Sequence, residues 1–235
     1  MHNNIFCVLS AIGNDYGIFS YQQRYEQLLN TIESIRKYAP NSDVVIYDAS
    51  EDPLPENDVN HLKSLVNQIV FLNEDKYVSF LKYNSKDPSE NKFEKKTVGE
   101  IQSMLAFLTF MLNHDKKYDR VFKLSGRYYL NENFRLSDYA DKKDKCVFLN
   151  KEDWYGEMVF PIRLWSFNYN RLEDILNIFQ SVQKHTYDLV AKTENFELVE
   201  FTFTKFIEKF QTPYVTVDRI GVSGLMGLNA TSINE

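Results

Sequence analysis

The chain is short of the residues that punctuate and staple a fold. Eight glycines and six prolines serve 235 residues. None of the glycines forms Gly-x-Gly-x-x-Gly after the first strand-like run, which argues against a dinucleotide-binding Rossmann site. Cys7 and Cys146 are the two cysteines; both sit in apolar runs with no metal-ligand spacing. They exclude a disulfide framework and are expected to be buried free thiols in a reducing, cytoplasmic setting. The four histidines (His2, His61, His114, His185) are scattered and fit no metal spacing. No apolar run approaches the ~20 residues of a membrane span. The first residues lack a basic segment and a long apolar stretch, so no signal peptide is expected. Basic residues are outnumbered, 27 against 33 acidic, giving a net charge of −6 and a pI near 5.4. A nucleic-acid binder with a basic stripe is therefore not expected, although a local basic pocket remains compatible with these numbers.

What is abundant is apolar and aromatic. Hydrophobic residues make up 43%, and 18 Phe and 15 Tyr bring the aromatics to 15%, enough for one large α/β domain over 1–235 with an aromatic core. Ile5–Ser10 reads as a buried strand. A loop with Gly13 and Gly17 follows, and Ser20 is placed to cap a helix over 21–38 whose stripe is Tyr25, Leu28, Leu29, Ile32 and Ile35. Asp43–Asp48 completes a βαβ unit. A weak helix over 56–68, a short strand over 69–72, a helical turn or two over 74–82 and a polar loop over 84–93 come next. The helix over 97–112 is apolar nearly all round and should be buried between layers. Strands are expected over 119–124, 145–150, 157–167 and 212–217, and helices over 172–182 and 196–210. Pro161 makes the long run 157–167 an edge strand or a bulged one. The tail from Asp218 holds three glycines within seven residues and reads as a loop laid over the domain.

The run 118–134 organises the candidate site. Its strand ends in Lys123-Leu-Ser125-Gly126-Arg127-Tyr128, where ligands bind in open α/β sheets. Glycine admits close approach to the backbone, and arginine offers a fork that matches phosphate or carboxylate. The same residues also read as an ordinary turn with a solvated arginine. Asp48 suits either a ribose or base contact or an Asx-turn into Ser50. Lys95 and Lys96 oppose the dipole of a helix starting at Thr97, so an anion shared with that helix end, or a solvated pair beside Glu94, accounts for them. Lys151–Gly156 mixes acids with aromatics, as a sugar-facing loop does.

Element order and motif together resemble the nucleotide-sugar-binding half of GT-A-type glycosyltransferases. The resemblance rests on Arg24-x-x-x-Leu28-Leu29-x-Thr31-Ile32-x-Ser34-Ile35 with Pro40 and the strand Val44–Asp48, and on Tyr118-Asp-x-Val-Phe-Lys123. In that family the last strand leads into a metal-binding Asp-x-Asp; here Ser125-Gly126-Arg127 stands in its place. The resemblance implies a mixed, mostly parallel central sheet flanked by helices, with a nucleotide-sugar-binding half over 1–130 and an acceptor-binding half over 131–235. It implies sugar transfer from a nucleotide-sugar donor to a saccharide or other hydroxyl acceptor, as in polysaccharide biosynthesis. Donor-binding residues are then Ser10, Arg24, Asp48, Lys96, Lys123, Ser125, Gly126, Arg127, Tyr128 and Arg219. Glu200, Glu197 and Asp153 are the candidate bases, with Glu157 behind them. Glu197 and Glu200, three apart, are expected on one helix face. No cofactor is expected, with a divalent cation left open, because Arg and Lys can stabilise a leaving phosphate as a metal does. A nucleotidyltransferase that makes the activated sugar, or a non-catalytic nucleotide- or glycan-binding relic, are the alternatives.

Overall fold

A computed structural model describes residues 3–14, 17–72, 92–192, 197–227 and 229–235, with the backbone alone at 92–95, 190 and 191. The expected helical turns over 74–82, and residues 84–91 of the expected loop, lie outside the described residues.

Alternation within the first strand sets the layers. In β1 (Asn4–Ser10), Ile5, Cys7 and Leu9 face one apolar cluster while Phe6 and Val8 face another. Successive strand side chains point to opposite faces, so a strand apolar at every position must be covered on both sides. It pairs in parallel with β2 (Asp43–Asp48) on one side and β4 (Arg120–Ser125) on the other. Strand β3 (Gln68–Phe71) extends the sheet beyond β2. On the far side, β9 (Leu164–Asn168) runs antiparallel between β4 and β6 (Cys146–Leu149), and β10 (Tyr214–Val217) pairs in parallel with β6. The seven-stranded order is β10-β6-β9-β4-β1-β2-β3, a mostly parallel mixed sheet flanked by helices.

The helices divide between the two faces. Helix α1 (Tyr21–Tyr38) buries Tyr25, Leu28, Ile32 and Ile35 and joins the Phe6 cluster, with α2 (Glu56–Leu65) contributing Leu62. Ser20 caps this helix as its position predicts, and Gln23 completes a capping box with it. The opposite face carries α3 (Lys92–Leu112), α4 (Leu172–Lys192) and α5 (Val199–Lys209). Aromatic stacking dominates there: Trp165 lies within 5.1–5.5 Å of the Phe148, Phe167 and Phe203 ring centroids. The abundant aromatics thus feed the core. Cys7 and Cys146 are buried and free, and burial raises both thiol pKa values, Cys146 to about 12. Among the described residues no helix is long and apolar enough to cross a membrane.

Three expectations are corrected. The run 157–167 is two strands: β8 (Glu157–Val159) belongs to a hairpin with β7 (Glu152–Trp154), and β9 lies inside the main sheet. Pro161 falls between them, where it breaks no ladder. The hairpin turns on Tyr155 and Gly156, at φ 56° and 88°, the left-handed pair that a two-residue hairpin requires. The tail is no loose loop: β11 (Val222–Leu225) pairs with β12 (Ser232–Asn234) and with β5 (Tyr128–Leu130). Gly221 and Gly224 have positive φ there, and a Cβ on Gly224 would stand 2.7 Å from the Arg127 carbonyl oxygen. Finally, α3 begins at Lys92, so Lys96 lies past its first turn and gains little from the helix end. The Lys95 side chain lies outside the described residues.

Candidate functional site

Strands β1 and β4 are neighbours whose onward connections within the sheet leave in opposite directions, toward β2 and toward β6. That is a topological switch point, the place where an open α/β sheet leaves a crevice beyond its strand ends. A cavity of about 680 Å³ lies there. Its floor is the end of β1 (Leu9, Ser10) and the turn Ser125-Gly126-Arg127. The Gly126 N–H donates to the Leu9 carbonyl at 2.7 Å, which ties the two strand ends together. A Cβ on Gly126 would meet Ser10 Cβ, Leu9 O and Leu28 Cδ1 at 3.2 Å each, so a larger residue would be tight there.

The charges at this floor fall into two kinds. Lys123, 1% exposed, projects from β4 toward α3. Its ammonium donates to Glu100 Oε1 (2.5 Å), Ser125 Oγ (2.8 Å) and the Ile162 carbonyl (2.7 Å). All three donors are used, so Lys123 supports the floor from below and does not line the cavity. Burial works against the charge of Glu100, but Lys123, Lys96 and Arg127 outweigh it and lower its pKa. Arg127 is different. It lines the cavity, and its Nε is buried without a hydrogen-bond partner among the described residues. Its guanidinium carbon lies 5.9 Å from the Tyr128 ring centroid. Tyr128 itself is 5% exposed and lines the cavity beside it.

The lining carries a second side chain with an unpartnered atom. Glu200 stands in the first turn of α5, 7% exposed, and its Oε2 is buried without a hydrogen-bond partner among the described residues. Its Oε1 is 3.9 Å from Lys96 Nζ. Lys96, Gly99, Glu100 and Ser103 form one stripe of α3 along the cavity, at the i, i+3, i+4, i+7 spacing of a single helix face. Glu100 was not anticipated; its signal was that stripe, the polar interruption in an otherwise apolar helix. Arg163 was missed as well. It lines the cavity, where its Nη1 bonds Glu152 Oε1 (3.0 Å) and Glu235 Oε1 (2.6 Å). Burial opposes that charge, yet the two acids raise the pKa of the guanidinium.

Other expected site residues have different places. Arg24 lines the cavity and holds the β1–α1 loop through the carbonyls of Phe19 (3.0 Å) and Ala11 (2.9 Å). Asp48 is fully buried and does not line the cavity: it accepts from the Ser10 hydroxyl (2.6 Å) and from the N–H groups of Ile12 (3.2 Å) and Ser50 (3.0 Å). It orders the loop, as the Asx-turn reading has it. Arg219 is exposed and away from the cavity. Glu197 precedes α5, shares no helix face with Glu200 and stays out of the cavity. Its pKa is lowered despite burial because it bonds Lys205 (3.1 Å), with His185 and Thr202 adding to the effect. Asp153 lines the rim, exposed, and accepts the Gly156 N–H at 2.8 Å. Glu157 is exposed and pairs with Lys205 at 3.8 Å. Trp154 and Tyr155 line the same rim, Tyr155 being 92% exposed.

Among the described residues, no group of three or more His, Cys, Asp or Glu is placed to hold a metal ion. The arrangement offers the Arg127 Nε and a carboxylate oxygen of Glu200 without partners among the described residues, and aromatic surface at the rim. Comparison with known protein families and with curated protein sequences returns no match to either.

Proposed function

We propose that the chain is a glycosyltransferase of GT-A-like architecture that moves a sugar from a nucleotide-sugar donor to a hydroxyl acceptor, in a cytoplasmic setting. The observation that carries this reading is the pair of buried, unpartnered polar atoms, Arg127 Nε and Glu200 Oε2, lining one cavity at the switch point. Leaving such atoms without partners costs about 1–3 kcal/mol each, a cost that a ligand bonding both would offset.

The roles follow from chemistry. The donor phosphate sits at Ser125-Gly126-Arg127, and the acceptor enters past Trp154 and Tyr155. Glu200 takes the proton of the acceptor hydroxyl as its oxygen bonds to the anomeric carbon. The bond from that carbon to the phosphate oxygen breaks, and its electron pair leaves on the phosphate, where the Arg127 guanidinium stabilises it. Lys96 Nζ stands 3.9 Å from Glu200 Oε1, beside the oxygen that takes the proton.

The test is product analysis by mass spectrometry with a panel of nucleotide sugars and saccharide acceptors, with and without EDTA. Transfer that survives EDTA and falls by about 10²–10⁴-fold in Glu200→Gln supports the reading. Formation of a nucleotide sugar from a sugar phosphate and a nucleoside triphosphate would replace it with nucleotidyl transfer. Binding without turnover would leave a recognition module.

A further inference from the structure

We propose that the cavity holds its donor through one phosphate group and not two: a sugar joined to a nucleoside by a single phosphodiester. The phosphate sits on Ser125 and Arg127, and a ligand hydroxyl or N–H sits on Ser10. This rests on the reading of the cavity as a nucleotide-sugar site.

The directions of two hydrogen bonds carry the argument first. An ammonium only donates, so the bond from Lys123 Nζ makes Ser125 Oγ an acceptor on the floor side. The Ser125 hydroxyl proton is then left to donate into the cavity. Ser10 is wired the other way. Its hydroxyl donates to Asp48 Oδ2 at 2.6 Å, so toward the cavity it can only accept. Leu9 and Ser125 are register partners in the sheet, which places Ser10 directly beside the Ser-Gly-Arg turn. The floor therefore offers donors at Ser125 and Arg127, for an anion, and an acceptor at Ser10, for a ligand hydroxyl or N–H.

Charge carries it further. Of the other described cations on the lining, Arg163 is held by Glu152 and Glu235 and Arg24 by two loop carbonyls, while Lys96 is half exposed and stands 3.9 Å from Glu200. Arg127 adds to the field on Glu100 but forms no ion pair among the described residues, and its unpartnered Nε makes it the cation open to a newcomer. One phosphodiester charge matches one guanidinium. A second phosphate would bring a second negative charge into a cavity already lined by Glu100 and Glu200. Burying an unpaired charge is costly.

The experiment is calorimetric titration of the full chain, in EDTA and again in Mg²⁺, with the methyl esters of the 5′-mono- and diphosphates of uridine, cytidine, guanosine, adenosine and thymidine. Esterification leaves one charge per phosphate, where a free monophosphate would carry about two. At least one monophosphate is expected to bind in EDTA tenfold or more tighter than its diphosphate. Ser125→Ala should weaken it by roughly 5- to 10-fold, and Arg127→Ala by roughly 10- to 100-fold. Arg127→Lys, which keeps the charge but loses the fork, should fall between wild type and Arg127→Ala. Tighter binding of a diphosphate in EDTA, or nucleotide binding only with Mg²⁺, overturns the single-phosphate inference while the donor site stands. Failure of every nucleotide to bind under both conditions overturns the donor reading and the inference with it.

Discussion

Lys123 and Arg127 stand four residues apart at one strand end, and they are built for opposite purposes. The lysine is buried and has spent every donor on Glu100, Ser125 and the Ile162 carbonyl. The arginine borders a cavity and leaves its Nε unmatched. A buried charge that is fully paired belongs to the fold, and removing one partner strands the other. A charge at a cavity wall without a partner is held there at a cost, and that cost is the mark of a ligand site. The contrast also covers the acids: Glu100 serves Lys123, while Glu200 keeps one oxygen free.

Breaking the paired side should have the largest effect on stability. Lys123→Met strands Glu100 and is expected to cost about 3–5 kcal/mol in urea unfolding. The double change Lys123→Met with Glu100→Gln should recover much of that loss, since no unpaired charge is left. A double-mutant cycle measures the coupling.

The same pair should respond to acid. The Glu100 pKa is lowered in the folded state, below the ~4.3 of an unfolded glutamate. Its contribution to stability is therefore complete above that value and is lost as pH falls through the folded pKa. Urea midpoints of wild type should drop on going from pH 7 to pH 3, and Glu100→Gln should flatten part of that drop.

The free side should respond in function rather than stability. A Cβ on Gly227 would lie 2.3 Å from Arg127 Nη1 and 2.8 Å from its Cζ. Gly227→Ala is expected to displace the guanidinium and weaken nucleotide binding several-fold, at a stability cost under about 1 kcal/mol because the obstructing atoms belong to a flexible side chain. Smallest of all should be Arg219→Ala, at an exposed position off the cavity. It should leave both stability and binding unchanged to within about 0.5 kcal/mol, and a clear binding loss would extend the site toward the tail.

Local signals were legible and pairings were not. The helix over 21–38 and the strand over 43–48 have the bounds that their periodicity, Ser20 and Pro40 predict. The turn at Gly126 and Arg127 was readable because a small turn after an apolar strand is a local pattern. The place of β9 was not: strand order depends on contacts between distant segments, and Pro161 looks the same in a broken strand as in the connection between two. The tail failed for a similar reason. Its glycines suit a loop, but Gly224 is needed where β11 crowds against Arg127 and Tyr128. Lys123 and Asp48 were counted as ligand contacts because sequence gives residue type without direction. Their side chains point to Glu100 and to the β1–α1 loop. Between Glu197 and Glu200, two residues of helix boundary decide which carboxylate meets the cavity.

The most direct measurement is the affinity of the best-bound nucleotide for Arg127→Ala and for wild type, with thermal unfolding recorded on both. A loss of about 10- to 100-fold in affinity is expected, the worth of a charge-assisted bond, with an unfolding midpoint within a few degrees of wild type. Unchanged affinity in a folded Arg127→Ala protein would contradict it.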